Sequence, residues 1–160
     1  MRTALRLVWV APASDESRTP SGNKGKRPGN GQPGIPTILV VEDEILIRFA
    51  IADHLRDEGL RVIEASSAEE AQAVFKTDEP IEILFSDVDL GRGMSGVALA
   101  TWVRETYPDV RILLTSGKAL LDPDQAALSD GPFLNKPYAS QDVTDHIKRL
   151  LGLLGRQSGQ

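Results

Sequence analysis

The chain has 160 residues, of which 41% are hydrophobic and 26% charged, and its formal net charge is −5. This composition is typical of one globular domain with an ordinary core. Because the chain has no cysteine, disulfides, thiolate zinc sites and cysteine nucleophiles are excluded. No apolar run approaches the ~18 residues of a membrane-spanning helix, so we expect no membrane partner.

The first 36 residues differ in composition from the rest. They carry six Lys or Arg against two acidic residues, and residues 11–36 hold five of the ten prolines. Such a stretch buries too little apolar surface to offset its ordering entropy, so we predict a disordered basic tail over residues 1–36. Residues 7–10 are too short for the core of a signal peptide, and we expect a cytoplasmic protein. Without the tail the net charge is −9, which opposes direct nucleic-acid binding.

From Thr37 onward, short apolar runs alternate with segments of helical spacing. The predicted strands are residues 37–41, 61–65, 81–87, 111–116 and 133–136. The predicted helices are residues 45–58, a segment capped by Ser67 in a capping box with Glu70, residues 96–107, a short segment at 122–128, and 140 to about 154. This alternation predicts a doubly wound, flavodoxin-like α/β/α sandwich over residues 37–154, with a five-stranded parallel sheet and a truncated fourth helix. Residues 155–160 are predicted to be a flexible tail.

Polar side chains stand at the ends of four of these strands. Glu42 and Asp43 follow the first strand, Asp87 ends the third, Thr115 lies in the fourth and Lys136 ends the fifth. Because the carboxyl ends of parallel strands share one edge of the sheet, we expect these side chains to converge.

This set of side chains indicates phosphoryl chemistry. Three close carboxylates raise one another's pKa unless a cation neutralises them, and oxygen ligands without Cys or a nearby His favour Mg²⁺. Lys136 adds a positive charge, and Thr115 adds a hydroxyl donor for phosphate oxygens. Together they suit nucleophilic attack by a carboxylate on phosphorus.

Five short motifs follow one another along the chain in a fixed order. They are Val40-Val41-Glu42-Asp43-Glu44, Ser86-Asp87, Met94-Ser95-Gly96, Thr115-Ser116-Gly117 and Lys136-Pro137-Tyr138. In this order and spacing the chain resembles a receiver domain of bacterial two-component response regulators, of the single-domain, CheY-like kind.

The resemblance implies a phosphoacceptor and a metal site. Asp87 would accept a phosphoryl group from a sensor histidine kinase or a histidine phosphotransfer protein. Asp43, Asp87 and the backbone carbonyl of Asp89 would hold Mg²⁺, with Glu42 acting through a water. Lys136 would pair with Asp87 or its phosphate.

The resemblance also implies a switch and a mode of output. Thr115 would move to hydrogen-bond the phosphate, and Phe133, which lacks a tyrosine hydroxyl, would swing inward as a steric switch. Only residues 155–160 follow the last predicted helix, so we expect a stand-alone receiver that signals through a downstream protein or a phosphorelay. It would promote its own aspartyl phosphorylation and dephosphorylation and would not be an enzyme acting on a separate substrate.

Three alternatives stay open at this point. A haloacid-dehalogenase-like phosphatase shares the pattern Asp87-Val88-Asp89, Thr115 and Lys136, but it has its Asp-x-Asp near the N-terminus. A Toprim-type nucleic-acid enzyme would use Glu42 with the same Asp-x-Asp, and it leaves Asp43 and Lys136 without roles. A pseudo-receiver would bind partners without being phosphorylated.

Overall fold

The computed structural model describes residues 34–118 and 122–154. Within these ranges five parallel strands alternate with helices, and the strand order in the sheet is β2-β1-β3-β4-β5. This order confirms the predicted doubly wound, flavodoxin-like fold. The elements are β1 Thr37–Val41, α1 Ile45–Asp57, β2 Arg61–Ala65, α2 Ala68–Phe75, β3 Ile83–Asp87, α3 Gly96–Thr106, β4 Arg111–Ser116, α4 Pro123–Ala126, β5 Leu134–Asn135 and α5 Ser140–Leu150.

Alternating residues of each central strand enter two separate cores, one on each face of the sheet. On one face Leu39, Leu84 and Ile112 pack with residues of α2 and α3. On the other face Ile38 and Phe85 pack with residues of α1 and α5. Since both faces are covered, the central strands are apolar at successive positions, and the molecule is a three-layer α/β/α sandwich.

The last helix is shorter than the sequence pattern predicted. It ends at Leu150, because two hydrogen bonds close it: Gly152 N–H donates to the Arg149 carbonyl at 3.0 Å, and Leu153 N–H donates to the Lys148 carbonyl at 2.8 Å. This pair of bonds is the Schellman motif of helix ends. Leu154 therefore lies beyond the helix and is 39% exposed.

The described residues between β4 and α5 have little regular structure. The helix α4 has four residues and is capped by Asp122, whose side chain accepts a hydrogen bond from Asp124 N–H. The predicted truncation of the fourth helix is thus confirmed. The strand β5 has only two residues, and Pro132 and Pro137, which have no backbone N–H to donate, lie close to its two ends.

The capping box predicted at α2 forms in a modified way. Ser67 Oγ accepts a hydrogen bond from Glu70 N–H, as predicted, but the Glu70 carboxylate accepts from Ser66 N–H and Ser66 Oγ instead of from Ser67 N–H. The reciprocal bond has moved by one residue. Both bonds still bring Glu70 over the start of the helix.

Parts of the predicted tails and of the β4–α4 connection fall outside the described residues. These are residues 1–33, 119–121 and 155–160. In the part of the chain that the structure describes, no helix is long and apolar enough to cross a membrane.

Candidate functional site

The structure brings the polar strand ends together at one edge of the sheet. Asp87 ends β3 beside Thr115 of β4, which is its register partner. Lys136 N–H donates to the Ser116 carbonyl at 2.8 Å, which places Lys136 just beyond β5. Within the described residues, Glu42, Asp43 and Asp87 each offer a carboxylate oxygen that lies within 4.8 Å of the other two.

The ammonium group of Lys136 links two buried carboxylates. Its Nζ lies 2.6 Å from Asp87 Oδ2 and 2.8 Å from Glu42 Oε2, and the two acidic side chains are only 6% and 2% exposed. Burial lowers the pKa of Lys136, but the hydrogen bonds to Asp87 and Glu42 outweigh it and raise this pKa above its ordinary value. The lysine therefore stays positively charged.

Glu42 is nearly enclosed by its own loop. Its carboxylate accepts a hydrogen bond from Glu44 N–H at 3.2 Å, and its backbone carbonyl accepts one from Arg48 Nη1 at 2.7 Å. Burial raises the pKa of Glu42 above its ordinary value, although Lys136 opposes this shift. The resemblance to receiver domains predicted that Glu42 contacts a metal through a water, and this stays a prediction. The structure shows in addition that Glu42 forms an ion pair with Lys136.

Asp43 is the exposed acid of the cluster, and the loop after β3 runs close to it. A Cβ at Gly91 would lie 2.9 Å from Asp43 Oδ2, and the positive φ of 69° at Gly91 also suits glycine alone. A Cβ at Gly96 would lie 1.8 Å from the Asp87 carbonyl oxygen. Both glycines therefore allow the loop to close against the acids.

The Asp89 backbone fixes the orientation of the Asp87 carboxylate. The Asp89 N–H donates to Asp87 Oδ1 at 3.1 Å, while Lys136 occupies Oδ2. The Asp89 side chain turns away and forms an exposed ion pair with Lys118 at 3.1 Å. A role of the Asp89 carbonyl as a metal ligand stays a prediction.

The two predicted switch residues occupy different surroundings. Thr115 is fully buried, and its Oγ1 has no hydrogen-bond partner among residues 34–118 and 122–154. Phe133 is half-buried and packs against the core between the sheet and the α2 and α3 helices. Whether either residue moves stays a prediction.

Sequence reasoning missed one residue of this site, Tyr138. Its hydroxyl is also buried without a hydrogen-bond partner among the described residues. Burial raises the pKa of Tyr138, and the neighbouring Thr115 hydroxyl lowers it. The positive charge of Lys136 also lowers this pKa, while the negative charges of Glu42 and Asp87 raise it. The signal was present in Lys136-Pro137-Tyr138, but only tertiary structure shows that this phenol faces the acids.

The charge balance of the cluster fits a hard divalent cation. Three carboxylates converge while Lys136 supplies one positive charge to two of them, and Asp43 is left on the exposed side. Close uncompensated carboxylates repel one another, and oxygen ligands prefer Mg²⁺ or Ca²⁺. The residues present therefore fit a magnesium ion at the edge of the sheet.

The sequence profile of the response regulator receiver domain matches residues 38–148. The chain belongs to this family. Because the chain belongs to this family, the phosphatase and Toprim alternatives are set aside. The acid pair after β1 and the lysine after β5 are two of the features by which the sequence resembles a receiver. The receiver fold also agrees with the observed strand order.

Several relatives of this receiver domain differ greatly in length. The response regulator receiver protein CpdR of Brucella abortus is 29% identical over 116 residues, which cover 71% of this chain and 95% of CpdR. The sensor kinase CckA of the same species is 31% identical over 121 residues, 74% of this chain. The heme response regulator HssR of Staphylococcus saprophyticus is 31% identical over 116 residues, 72% of this chain. The chain spans 13% of CckA and 51% of HssR.

Solved structures of receivers have the same fold. The response regulator TrrA of Thermotoga maritima, crystallised in complex with Mg²⁺-BeF, is 26% identical with a TM-score of 0.65. The alignment covers 72% of this chain and 98% of TrrA. A receiver protein of Sinorhizobium medicae is 27% identical with a TM-score of 0.67, over 73% of this chain and 94% of that protein.

Proposed function

We propose that this receiver accepts a phosphoryl group on the carboxylate of Asp87. One observation carries the proposal: Asp87 is 5% exposed, and its two oxygens are held by Lys136 Nζ at 2.6 Å and by Asp89 N–H at 3.1 Å. A carboxylate that is oriented in this way at the ligand-binding edge of a parallel sheet is suited to act as a nucleophile.

The transfer step is an in-line exchange of bonds at phosphorus. An Asp87 oxygen forms the new P–O bond while the P–N bond of a phosphohistidine breaks, and the imidazole nitrogen keeps the electron pair. Lys136, whose pKa is raised by its two carboxylate partners, stays protonated and offsets negative charge on the phosphoryl oxygens. The Thr115 hydroxyl then donates to one of these oxygens, and Phe133 moves inward as a steric switch.

The metal ligands in this proposal are those of the acidic cluster. Asp43, Asp87 and the backbone carbonyl of Asp89 would hold Mg²⁺, and Glu42 would act through a water. Support comes from the three carboxylates gathered within 4.8 Å and from TrrA, whose structure was solved with Mg²⁺-BeF. When bound, Mg²⁺ supplies positive charge for the phosphoryl oxygens. The same residues serve the reverse step, hydrolysis of the aspartyl phosphate.

The partners follow from the phosphoryl donor. The donor is a sensor histidine kinase or a histidine phosphotransfer protein, in line with the similarity to part of the sensor kinase CckA. We further propose that the domain acts as a stand-alone receiver that signals by contact with a downstream protein or by relay; the similarity over 95% of the receiver protein CpdR supports this proposal. We place it in the cytoplasm and assign no nucleic-acid contact to the negatively charged domain.

Intact-mass measurement tests the acceptor directly. The protein is incubated with acetyl phosphate or phosphoramidate and Mg²⁺, and wild type is compared with Asp87→Asn and the matched control Asp89→Asn. Wild type and Asp89→Asn should gain one phosphoryl group that is stable in acid and labile in base, while Asp87→Asn should gain none. Equal labelling of Asp87→Asn would show that another residue is the acceptor, and no labelling of wild type would favour the pseudo-receiver.

Titration calorimetry with Mg²⁺ tests the metal site independently. Asp43→Asn should weaken Mg²⁺ binding by about tenfold or more, because even residues outside the coordination sphere cost about 10–100-fold. Glu44→Gln is the matched control, since Glu44 is an exposed acid on the same loop. Equal losses in both variants would indicate a general effect of negative charge and would remove Asp43 from the ligand set.

A further inference from the structure

Two buried hydroxyls beside the acceptor have no hydrogen-bond partner in the part of the chain that the structure describes. Thr115 Oγ1 and Tyr138 Oη are both enclosed, and neither is paired with any described residue. An unpaired buried hydroxyl costs free energy, so two of them at one place are expected to serve a state of the site other than the resting one. They are the only unpaired side-chain oxygens that are buried in the described part of the chain.

The placement of Tyr138 brings its hydroxyl toward Thr115. The Tyr138 ring packs edge-to-face on Phe85, with 6.2 Å between ring centroids. Phe85 lies two residues before Asp87 on β3, and both side chains therefore point to the same face of the sheet. Thr115 lies on that face too, two residues after Leu113, which shares the core of Phe85.

Electrostatics support the proximity of the two hydroxyls. Burial raises the pKa of Tyr138, and a hydrogen-bond interaction with the Thr115 side chain opposes this shift. The two hydroxyls are therefore close neighbours, although among the described residues neither meets the distance and angles of a formed hydrogen bond in the resting structure. The charges on Lys136, Glu42 and Asp87 also act on the phenol. The Tyr138 hydroxyl thus lies within the field of the acceptor site.

A hydroxyl has one proton to donate and two lone pairs that accept. If Thr115 donates its proton to a phosphoryl oxygen, its Oγ1 can still accept a hydrogen bond from a neighbouring donor. The Tyr138 hydroxyl is such a donor, and it has no acceptor among the described residues. One bond from the Tyr138 hydroxyl to Thr115 Oγ1 would satisfy both groups, and hydrogen bonds in such chains strengthen one another.

We propose that Tyr138 is a positioning residue: its phenol donates to Thr115 Oγ1 and so directs the single Thr115 proton toward a phosphoryl group on Asp87. This role rests on the proposed function, because it needs a phosphoryl group or its mimic at Asp87. The bond forms when Thr115 turns toward that group, and it is absent in the resting structure.

Beryllofluoride with Mg²⁺, a stable mimic of the aspartyl phosphate, is the probe. Tyr138→Phe keeps the ring on Phe85 and removes only the hydroxyl, and it should weaken beryllofluoride binding by about threefold to tenfold, the usual worth of one hydrogen bond. Tyr107→Phe is the matched control, since the Tyr107 hydroxyl donates to the Phe75 carbonyl at 3.0 Å, in a different part of the molecule. It should leave the affinity unchanged.

A double-mutant cycle separates positioning from packing. In the Thr115→Val background, Tyr138→Phe should have no further effect on beryllofluoride binding, whereas in Thr115→Ser, which keeps a hydroxyl, it should again cost about threefold to tenfold. Mg²⁺ affinity without beryllofluoride should stay the same in Tyr138→Phe. A structural role would instead lower affinity equally in every background, or would alter Mg²⁺ binding as well.

The outcomes distinguish this role from the proposed function. If wild type binds beryllofluoride and Tyr138→Phe binds it equally well, or loses affinity independently of Thr115, the positioning role is wrong and the acceptor assignment stands. If wild type binds no beryllofluoride in the presence of Mg²⁺, both the acceptor assignment and the positioning role are overturned.

Discussion

Two lysines in this domain make short ion pairs between distant parts of the chain, yet their surroundings differ. Lys148 Nζ lies 2.5 Å from Glu58 Oε2, and Lys136 Nζ lies 2.6 Å and 2.8 Å from Asp87 and Glu42. Glu58 is 32% exposed, whereas the acids at Lys136 are 6% and 2% exposed. Lys148 meets one acid near water; Lys136 meets two that are buried.

The two glutamates respond in opposite directions to similar partners. The hydrogen bond from Lys148 holds the pKa of Glu58 below its ordinary value. Burial raises the pKa of Glu42 despite its bond to Lys136. In the Lys148–Glu58 pair one positive charge meets one negative charge, whereas the single charge of Lys136 is shared between the buried carboxylates of Glu42 and Asp87. Burial and the count of acids, more than the ion-pair distance, decide which lysine serves a site.

The largest expected effect is that of Lys136→Met. This change leaves Asp87 and Glu42 buried without a cation, and removal of one partner from buried ion pairs costs on the order of 3 kcal/mol. Denaturant unfolding without metal should show the loss, and Mg²⁺ should restore more stability to the variant than to wild type. Phosphorylation by acetyl phosphate should also fall, by about 100-fold. An unchanged unfolding free energy would show that this buried pair behaves like a surface pair.

The second-largest effect is expected for Gly96→Ala, which tests the packing around the buried Asp87. Gly96→Ala would add a Cβ only 1.8 Å from the Asp87 carbonyl oxygen, which is backbone and cannot move aside cheaply. We expect a loss of about 1–3 kcal/mol, as for other overpacked positions. Gly117→Ala is the control, since a Cβ at Gly117 meets nothing within 4 Å. Chemical denaturation of the two variants should separate them clearly.

The pH dependence of stability tests the opposite pKa shifts. The raised pKa of Glu42 means that wild type loses stability as pH rises from the ordinary value of 4.5 through the raised value. Glu42→Gln cannot ionise, so its stability relative to wild type should increase over that window. For Glu58, whose pKa is lowered, the contribution is present above 4.5 and is lost as pH falls. Glu58→Gln should therefore be less stable than wild type above that pH. If the stability relative to wild type changed with pH in the same direction for both variants, the opposite pKa shifts of Glu42 and Glu58 would be contradicted.

The smallest effect is expected for Lys148→Met. Exposed ion pairs contribute little and are screened by salt, so the unfolding free energy should change by a small fraction of the Lys136→Met loss. The difference from wild type should shrink further when salt is added. A loss that matched Lys136→Met and persisted in high salt would mean that the Lys148 pair is as important to the fold as the buried one.

Element positions followed closely from sequence wherever local pattern was strong. The strands β1 and β4 have the predicted bounds, because each is a largely apolar run that ends at a charged or turn residue. Prediction was weaker where two local signals conflicted. The helix α5 ends before the predicted residue 154 because backbone hydrogen bonds close it at Gly152, whose positive φ of 71° is typical of a helix end. The apolar stripe that continues to Leu154 outweighed this signal in the prediction.

The pattern of strands and polar residues was enough to predict that five side chains would meet, because parallel strands bring their carboxyl ends to one edge of a sheet. These are Glu42, Asp43, Asp87, Thr115 and Lys136. The way in which they pair became visible in the folded molecule. There Lys136 pairs with Glu42 as well as with Asp87, and the buried hydroxyls of Thr115 and Tyr138 have no hydrogen-bond partner among the residues that the structure describes. Such pairings depend on burial and on distances between segments far apart in the chain, which no local pattern of residues contains.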